Sequence, residues 1–516
     1  MESMNCSLLN SIFNELKGFE VSLDPKNERR HLLFKYFQGL MDAGFNVCSV
    51  LSSYFSTEIH LLKMNGSEAS ENVLKLALLL SDFFIDGHWF EHSKRVLESC
   101  VSLIEDEEKI SPIFFTFYVK LLHVYNALRD FKNSEQLVGK LRSIIDTQSL
   151  TQNQAYDASA ACLRISEYSY FRFAINKDAR IWCNEAFNLL TNTTPVLTRI
   201  DVFRHSMKLS LLWMEKERAK NFIEMAIKEA KQEFKINKKQ ILPISRAALH
   251  PKVVELFVDY GYYLFKDNQI DQSLEFYQKS LKIAEQIFED VVAKQRVNNL
   301  LLANIYIEMA DISFNESFAN EQLENGLKIV AKIFPENHLE LALAKQAKAE
   351  IVFRFAKENP DKKVKIQMLK NCESLLLYSL NVLRSEYSGC MNIDLANCYS
   401  LLGSIYHKLL HYDKAEQMLS EALNVCLELN GWNSDSFAIH SSNLGDVYKD
   451  MMRLEEAEHM YLRSIPIFIQ LYGETYEELE YVYRKLIFIY RQLNNKEKVN
   501  EFELRLKKRE DLLKNV

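Results

Sequence analysis

The sequence predicts an all-α chain wound as a right-handed superhelical solenoid of about nine to ten helix pairs, with capping helices at its N- and C-terminal ends. Three observations carry this prediction. Leu402-Gly403-x-x-Tyr406 recurs 42 residues on as Leu444-Gly445-x-x-Tyr448, and again as Leu486-x-x-x-Tyr490. Ala415, Ala457 and Val499 keep the same step behind those motifs, and Gly431 and Gly473 close two of the units. Only 13 Gly and 8 Pro occur in 516 residues, which favours long helices with few breaks over a β-rich fold.

Leu-Gly-x-x-Tyr followed by a small residue is the tetratricopeptide signature, here in a unit longer than the common one. A tetratricopeptide-like helix pair cannot bury its apolar face alone. It stacks on its neighbours and leaves a concave groove suited to peptides. Ala415 follows Gly403 by 12 residues, and Ala422 follows by 7 more. The first small residue lets helix B approach helix A, and the second lets helix B approach the next unit. The same two marks recur upstream at Ser93/Cys100, Ser134/Leu141, Ala179/Ala186, Ala219/Ala226, Ser273/Ser280, Ala319/Gly326 and Cys372/Ser379, and continue at Ala457/Ser464. Leu141 alone is large. Steps between first marks run 41, 45, 40, 54, 46, 53, 43, 42 and 42 residues. Loops or extended helices are expected at the longer steps, near Asn237 to Pro251, Glu289 to Arg296 and Glu358 to Lys365. Phe84, Tyr125, Tyr170 and Leu264 hold the Tyr406 position, with Ser210 and Ala310 as weaker occupants.

In chain order, residues 1–30 do not fit the repeat. Residues 31–70 read as a helical cap, with Leu32, Leu33, Phe37, Leu40 and Met41 on one stripe. Residues 71–390 hold divergent repeats and residues 391–503 three regular 42-residue units. Residues 504–516, with Arg505, Lys507, Lys508, Arg509, Glu510 and Asp511, suit a capping helix with a polar outer face.

Composition narrows the function. A chain of 516 residues is too long for one ordinary compact core, a limit that a solenoid avoids. The net charge of -7 and pI near 6.0 argue against a nucleic-acid partner. Nine scattered Cys without a Cys-x-x-Cys pair suggest reduced thiols in the cytoplasm or nucleus. Met1-Glu2-Ser3 lacks the basic start of a secretory leader, and the apolar run Val73 to Ile85 is too short to span a bilayer. The sequons at Asn65 and Asn192 are therefore expected to be unused.

Catalytic motifs are missing. No phosphate-binding glycine loop or nucleophile elbow is present, so a non-catalytic binding subunit without cofactor or metal is expected. His88-Trp-Phe-Glu91-His92 matches a zinc-enzyme string, but the repeat puts Asp86-Gly87-His88 in the turn between helices A and B, where the two His cannot share a face. Glu455-Glu456 and Glu477-Glu478 read as helix-start acids. Lys362-Lys363-x-Lys365 reads as a solvated basic loop. Groove candidates come from helix A of the units. Asn443 could clamp a peptide backbone and Arg484 a carboxylate, with Tyr481 and Tyr483 beside them. Asp259, Tyr260 and Tyr263 come from a middle unit, and Lys348 from the helix after Pro335.

Arg30-His31-Leu32-Leu33-x-x-x-Phe37-Gln38-x-Leu40-Met41-Asp42-x-Gly44, His250-Pro251-Lys252, Asp259-Tyr260-Gly261-x-Tyr263-Leu264 and Ile333-x-Pro335-Glu336-x-His338-Leu339 carry a more specific likeness. Tyr461-Leu462-Arg463-Ser464-Ile465, Leu479-Glu480-Tyr481-x-Tyr483-Arg484-x-Leu486-Ile487 and Glu497-Lys498-Val499 continue it. In these segments, and over roughly residues 6 to 503, the chain resembles the amyloid protein-binding protein 2 family. Its repeat is also similar to that of kinesin light chains. The resemblance implies a substrate receptor of a cullin-2 RING ubiquitin ligase, docked through elongin B/C and reading C-terminal degrons. It equally implies a microtubule- or kinesin-associated adaptor for the sorting signal of the amyloid precursor protein, located in the cytoplasm, on microtubules or at vesicle membranes. The family's elongin-binding box lies upstream of the first cap helix, and this chain begins about where that box should end. Ser7-Leu8-x-x-x-Ile12-x-x-x-Leu16 fits a loose version of it, as would an ordinary apolar helix.

Overall fold

The computed structural model describes residues 30–42, 44, 46–64, 71–101, 112–147, 152–174, 177–234, 249–288, 299–387, 391–430 and 434–514. Every regular element among them is an α-helix, and there are 22. Helices α1 (Arg30–Asp42) and α2 (Val47–Met64) come first. Ten antiparallel pairs follow. They are α3 (Glu71–Asp86) with α4 (Phe90–Val101), α5 (Pro112–Ala127) with α6 (Phe131–Thr147), and α7 (Gln152–Phe173) with α8 (Lys177–Asn188). Next come α9 (Val196–Leu212) with α10 (Lys216–Glu233), α11 (Pro251–Lys266) with α12 (Ile270–Phe288), and α13 (Leu300–Asp311) with α14 (Glu316–Ile333). The series ends with α15 (Leu339–Glu358) and α16 (Lys362–Glu386), α17 (Ile393–Lys408) and α18 (Tyr412–Asn430), α19 (Asp435–Asp450) and α20 (Leu454–Tyr472), and α21 (Glu477–Gln492) and α22 (Lys496–Lys514). The result is a tetratricopeptide-like solenoid.

The small-residue marks explain the pairing. Each falls on the second helix of a pair, and all from Ser93/Cys100 to Ala457/Ser464 are buried. At Ser273 and Ser379 the hydroxyl of the mark satisfies a carbonyl across the helix contact. Ser273 Oγ donates to Gly261 O at 2.7 Å, and Ser379 Oγ to Ala342 O at 2.8 Å. The facing glycines are equally constrained. A Cβ on Gly403 would sit 2.6 Å from Leu419 Cγ, and one on Gly261 2.8 Å from the Tyr277 ring. Seven described cysteines are free and buried, filling core positions as small apolar side chains. Burial pushes the thiols of Cys100, Cys162, Cys372, Cys398 and Cys426 up to about 12.

The turn inside each pair is also repeated. Eight of the ten carry a residue with positive φ five positions before the first small mark: His88, Arg129, Ala174, Met214, Asn268, Leu410, Met452 and Asn494. In seven of them two hydrogen bonds close a Schellman cap. At Leu410, His411 N donates to Tyr406 O at 2.9 Å and Leu410 N to His407 O at 3.0 Å. The Tyr406 position of the repeat is thus the residue whose carbonyl receives the reversing bond. The α13–α14 turn differs: Asn315 caps α14 by accepting from Phe318 N at 3.0 Å. The basic run Lys362 to Lys365, expected in a loop, instead forms the first turn of α16. Asp361 supplies the missing start signal by accepting from Lys363 N at 2.7 Å.

Superhelical winding brings distant units together. Helix α1 packs on α12, with Phe34 and Phe288 in edge contact at 5.8 Å. Asn299 Nδ2 donates to Gly87 O at 3.0 Å, and Arg129 Nη1 lies 3.6 Å from Asp394 Oδ2. The ring of Phe131 faces Tyr387 at 6.0 Å. These contacts form a seam between one superhelical turn and the next.

A left-handed backbone costs a non-glycine residue about 1–2 kcal/mol, least for Asn. Leu410→Asn is therefore expected to raise stability by about 0.5–1 kcal/mol, whereas Leu410→Val lowers it, read as opposite shifts in Tm. Gly403→Ala is expected to lower stability by about 1–3 kcal/mol in urea melts, because Leu419 must move.

Candidate functional site

Helix A of each unit presents an inner stripe, and in the middle of the chain that stripe is charged. Asp201, Arg204, His205 and Lys208 follow helical spacing on α9, as do Lys252, Glu255, Asp259 and Tyr262 on α11. With Arg164 and Glu167 on α7, His123 on α5, His88 in the α3–α4 turn, and Glu308 and Asp311 on α13, they line a cavity of about 490 Å³.

The charges are cross-linked from unit to unit. Arg164 reaches Glu167 at 2.6 Å and Asp201 at 3.2 Å. Arg204 donates from Nε to Asp259 at 2.6 Å, from Nη1 to Asp201 at 3.2 Å, and also to Glu255. Lys252 Nζ lies 3.0 Å from Asp201 and 3.2 Å from Glu255, and Lys208 Nζ lies 2.7 Å from Asp259. His88 Nε2 faces Glu255 at 3.3 Å, and His205 Nε2 bonds Ser166 Oγ at 2.8 Å. Burial alone would push the Glu167 carboxyl up, but Arg164 and His123 outweigh it and hold it well below the usual range. For Glu255 the same balance is won by Lys252 and Arg204. Burial keeps His205 neutral, lowering it to about 4.

Glu308 is the exception. It accepts a hydrogen bond from the Tyr277 hydroxyl, a long contact of 3.5 Å. Burial pushes its carboxyl up to about 7; Lys208 opposes the shift, and Asp311 and Asp259 add to it. One end of the cavity therefore holds under-compensated acid, while the middle holds four cations already shared among carboxylates.

Of the eight residues expected in the groove, Asp259 alone lines this cavity. Both its oxygens are taken by Arg204 and Lys208. Tyr260 and Tyr263 stack on each other at 6.2 Å, with Tyr260 edge-on to Phe276 at 4.6 Å, so they pack against α12 while Tyr262 turns inward. Lys348 pairs with Glu324 on α14. Asn443 Nδ2 donates to Ser400 Oγ at 3.4 Å, joining α19 to α17. The Tyr481 hydroxyl donates to Asp446, Tyr483 is buried against Phe502, and Arg484 is held by Glu480 at 2.8 Å. The charged stripe on α9 is visible in the sequence as Asp201-x-x-Arg204-His205-x-x-Lys208. That stripe lies in a divergent unit, with Met207 and Ser210 where the regular units carry the Gly and Tyr of the motif, so the repeat signature does not point to it. His88 lies in the turn before α4, as its place in the repeat implied. Ser7, Leu8, Ile12 and Leu16 fall outside the described residues.

Comparison with known proteins now gives the family. A tetratricopeptide-repeat model matches residues 396–427, which span most of α17 and α18. Amyloid protein-binding protein 2 of Rattus norvegicus is 30% identical over 413 residues, covering 78% of this chain and 66% of the relative. The Mus musculus protein of that name matches with the same figures. The chain belongs to the amyloid protein-binding protein 2 family. The match leaves about a third of the relatives' length uncovered. Among solved structures, a Rap protein complexed with competence and sporulation factor aligns over 78% of this chain and 99% of its own, at 11% identity and a TM-score of 0.47.

The Glu308 carboxyl keeps its proton in the folded chain to about pH 7 and in the unfolded chain only to about 4.5. The folded state therefore binds more protons between those values, and stability falls as pH rises through them. Glu308→Gln removes that loss. Its Tm is expected to match the parent near pH 4 and to exceed it at pH 8, by up to about 3 kcal/mol in equivalent stability.

Proposed function

We propose that the chain is the substrate-recognition subunit of a cullin-2 RING ubiquitin ligase, and that it holds the C-terminal segment of a substrate in the charged cavity. The observation that supports this most is the cavity's division of charge. Lys208 and Lys252 stand where they could add a carboxylate to those they already share. Glu308 and Asp311, which line the same cavity, form an acidic part that would be relieved by a guanidinium or ammonium group. A peptide end with a free carboxylate and a nearby basic side chain complements both. The role is one of binding, without catalysis or cofactor. Family membership supports it, and docking to elongin B/C would fall to the segment containing Ser7, Leu8, Ile12 and Leu16. Apart from the cavity, Asn443, Tyr481 and Arg484 would offer contacts along the C-terminal units.

A second reading is favoured by the relatives' name. As an amyloid-protein-binding adaptor, the chain would hold an internal sorting motif and join cargo to kinesin or microtubules. No described helix is long and apolar enough to cross a membrane, so vesicle association would be peripheral.

Fluorescence polarisation with a ten-residue peptide carrying one arginine near a free C-terminus separates the two. Amidating the C-terminus is expected to weaken binding at least about tenfold, and Lys208→Ala and Glu308→Gln each by about five- to tenfold. Equal affinity for acid and amide would remove the degron reading and favour the adaptor. A pull-down from proteasome-inhibited cells checks the ligase assignment, with elongins and cullin-2 as the expected co-purifying proteins.

A further inference from the structure

A second cavity, of about 510 Å³, lies on the seam between superhelical turns. Its walls come from elements far apart in sequence. Met41 is on α1, Trp89 and Phe90 stand at the α3–α4 turn, Leu300 begins α13, and Phe334 and His338 flank the α14–α15 turn. The volume is in the range of small-molecule sites, which are mostly apolar with a few fixed polar groups and sit preferentially where units meet.

Two features define what it would hold. The first is a set of flat walls. Phe334 and His338 are stacked at 4.2 Å, and Trp89 packs on Phe37 at 6.2 Å with near-parallel rings. An aromatic guest gains from offset or edge contacts with such surfaces. The second is the state of the polar groups. His92 Nδ1 is buried with no hydrogen-bond partner among the described residues. Burial, helped by Arg95, lowers His92 to about 4; burial also lowers His338 and raises the Glu340 carboxyl. Burial thus shifts all three of these groups toward their neutral forms, while Lys332 and Glu91 are exposed at the cavity's edge. A buried imidazole nitrogen without a partner costs stability that a ligand's donor or acceptor would return.

We propose that the seam cavity is a second ligand site, which takes an uncharged planar aromatic group bearing one hydrogen-bonding nitrogen or oxygen, such as an indole or phenol, from a free small molecule or from a side chain of a bound peptide. The proposal does not depend on the reading of the central cavity. The two cavities share His88 and Phe90, whose rings meet edge to face at 5.4 Å, and His88 also contacts Glu255. Filling the seam therefore holds the two superhelical turns together and bears on the charged cavity through one side chain.

The test uses the full chain, 5-fluoroindole observed by fluorine NMR, and methyl-labelled methionine so that Met41 reports from the wall. Saturable binding at one site is expected, with a shift of the Met41 methyl resonance (assigned with Met41→Leu) and a rise in Tm. Leu300→Trp and Leu128→Trp fill the cavity from different elements and are expected to weaken binding about tenfold while far-UV circular dichroism stays unchanged. A tryptophan-containing peptide distinguishes the source. Tighter binding by the peptide assigns the site to a side chain, and tighter binding by free 5-fluoroindole assigns it to a small molecule. No saturable binding of either probe, an unmoved Met41 resonance at saturation, or undiminished affinity in a folded filling variant overturns the proposal. If both filling variants unfold, the Met41 resonance of the parent chain decides alone.

Discussion

The angle at which each second helix folds back on the first controls everything downstream in this chain. It is set at a turn where the backbone enters the left-handed region, most often without glycine to ease it. His88, Asn268 and Asn494 are residue types enriched there, while Arg129, Leu410 and Met452 are held by two reversing hydrogen bonds and by the packing on either side. Because the turn is the same in seven pairs, the small buried residues arrive at the same contact each time, and the stack advances regularly. The strain is local, but the regularity it secures is what lets helix A of successive units form a continuous inner surface.

That surface is made of ion pairs in its middle because each unit contributes one stripe and no stripe is self-sufficient. Arg204 has partners on its own helix and on α11, and Asp201 accepts from α7, α9 and α11. Removing one member would leave a buried charge uncompensated, which is far costlier than the pair is stabilising. The network therefore fixes the register between units as well as the character of the cavity. Glu308 departs from that pattern. It stands beside Asp311 and Asp259 with one cation in reach, and the cost of ionising it falls on the folded chain. A cationic group placed in the cavity would offset that cost.

The repeat architecture was legible because it rests on local spacing. Small residues at 12 and 19 positions after a glycine are needed wherever two helices touch, so they could be followed through divergent units to Ser93. The site was less legible. Lys348, Tyr260 and Tyr263 are on helix A and polar or large, yet a helix has several faces, and which one turns inward depends on how its neighbours are seated. Tyr262 turns into the cavity while Tyr260 and Tyr263, close to it in sequence, pack on α12. The stripe on α9 was a better guide, since four charged or titratable residues at helical spacing must share a face.

By itself the sequence determined that the chain is helical, that its helices pair with a period near 42 residues, and which residues lie at the helix contacts, because these follow from interactions within one unit and its neighbour. The tertiary structure alone decided what the winding brings together. Asn299 against Gly87, Arg129 against Asp394, and Phe34 against Phe288 are separated by hundreds of residues, and no local period encodes them. They depend on small rotations summed over many units, so that the seam, the cavity on it and the enclosure of the charged cavity exist only once the whole solenoid is assembled.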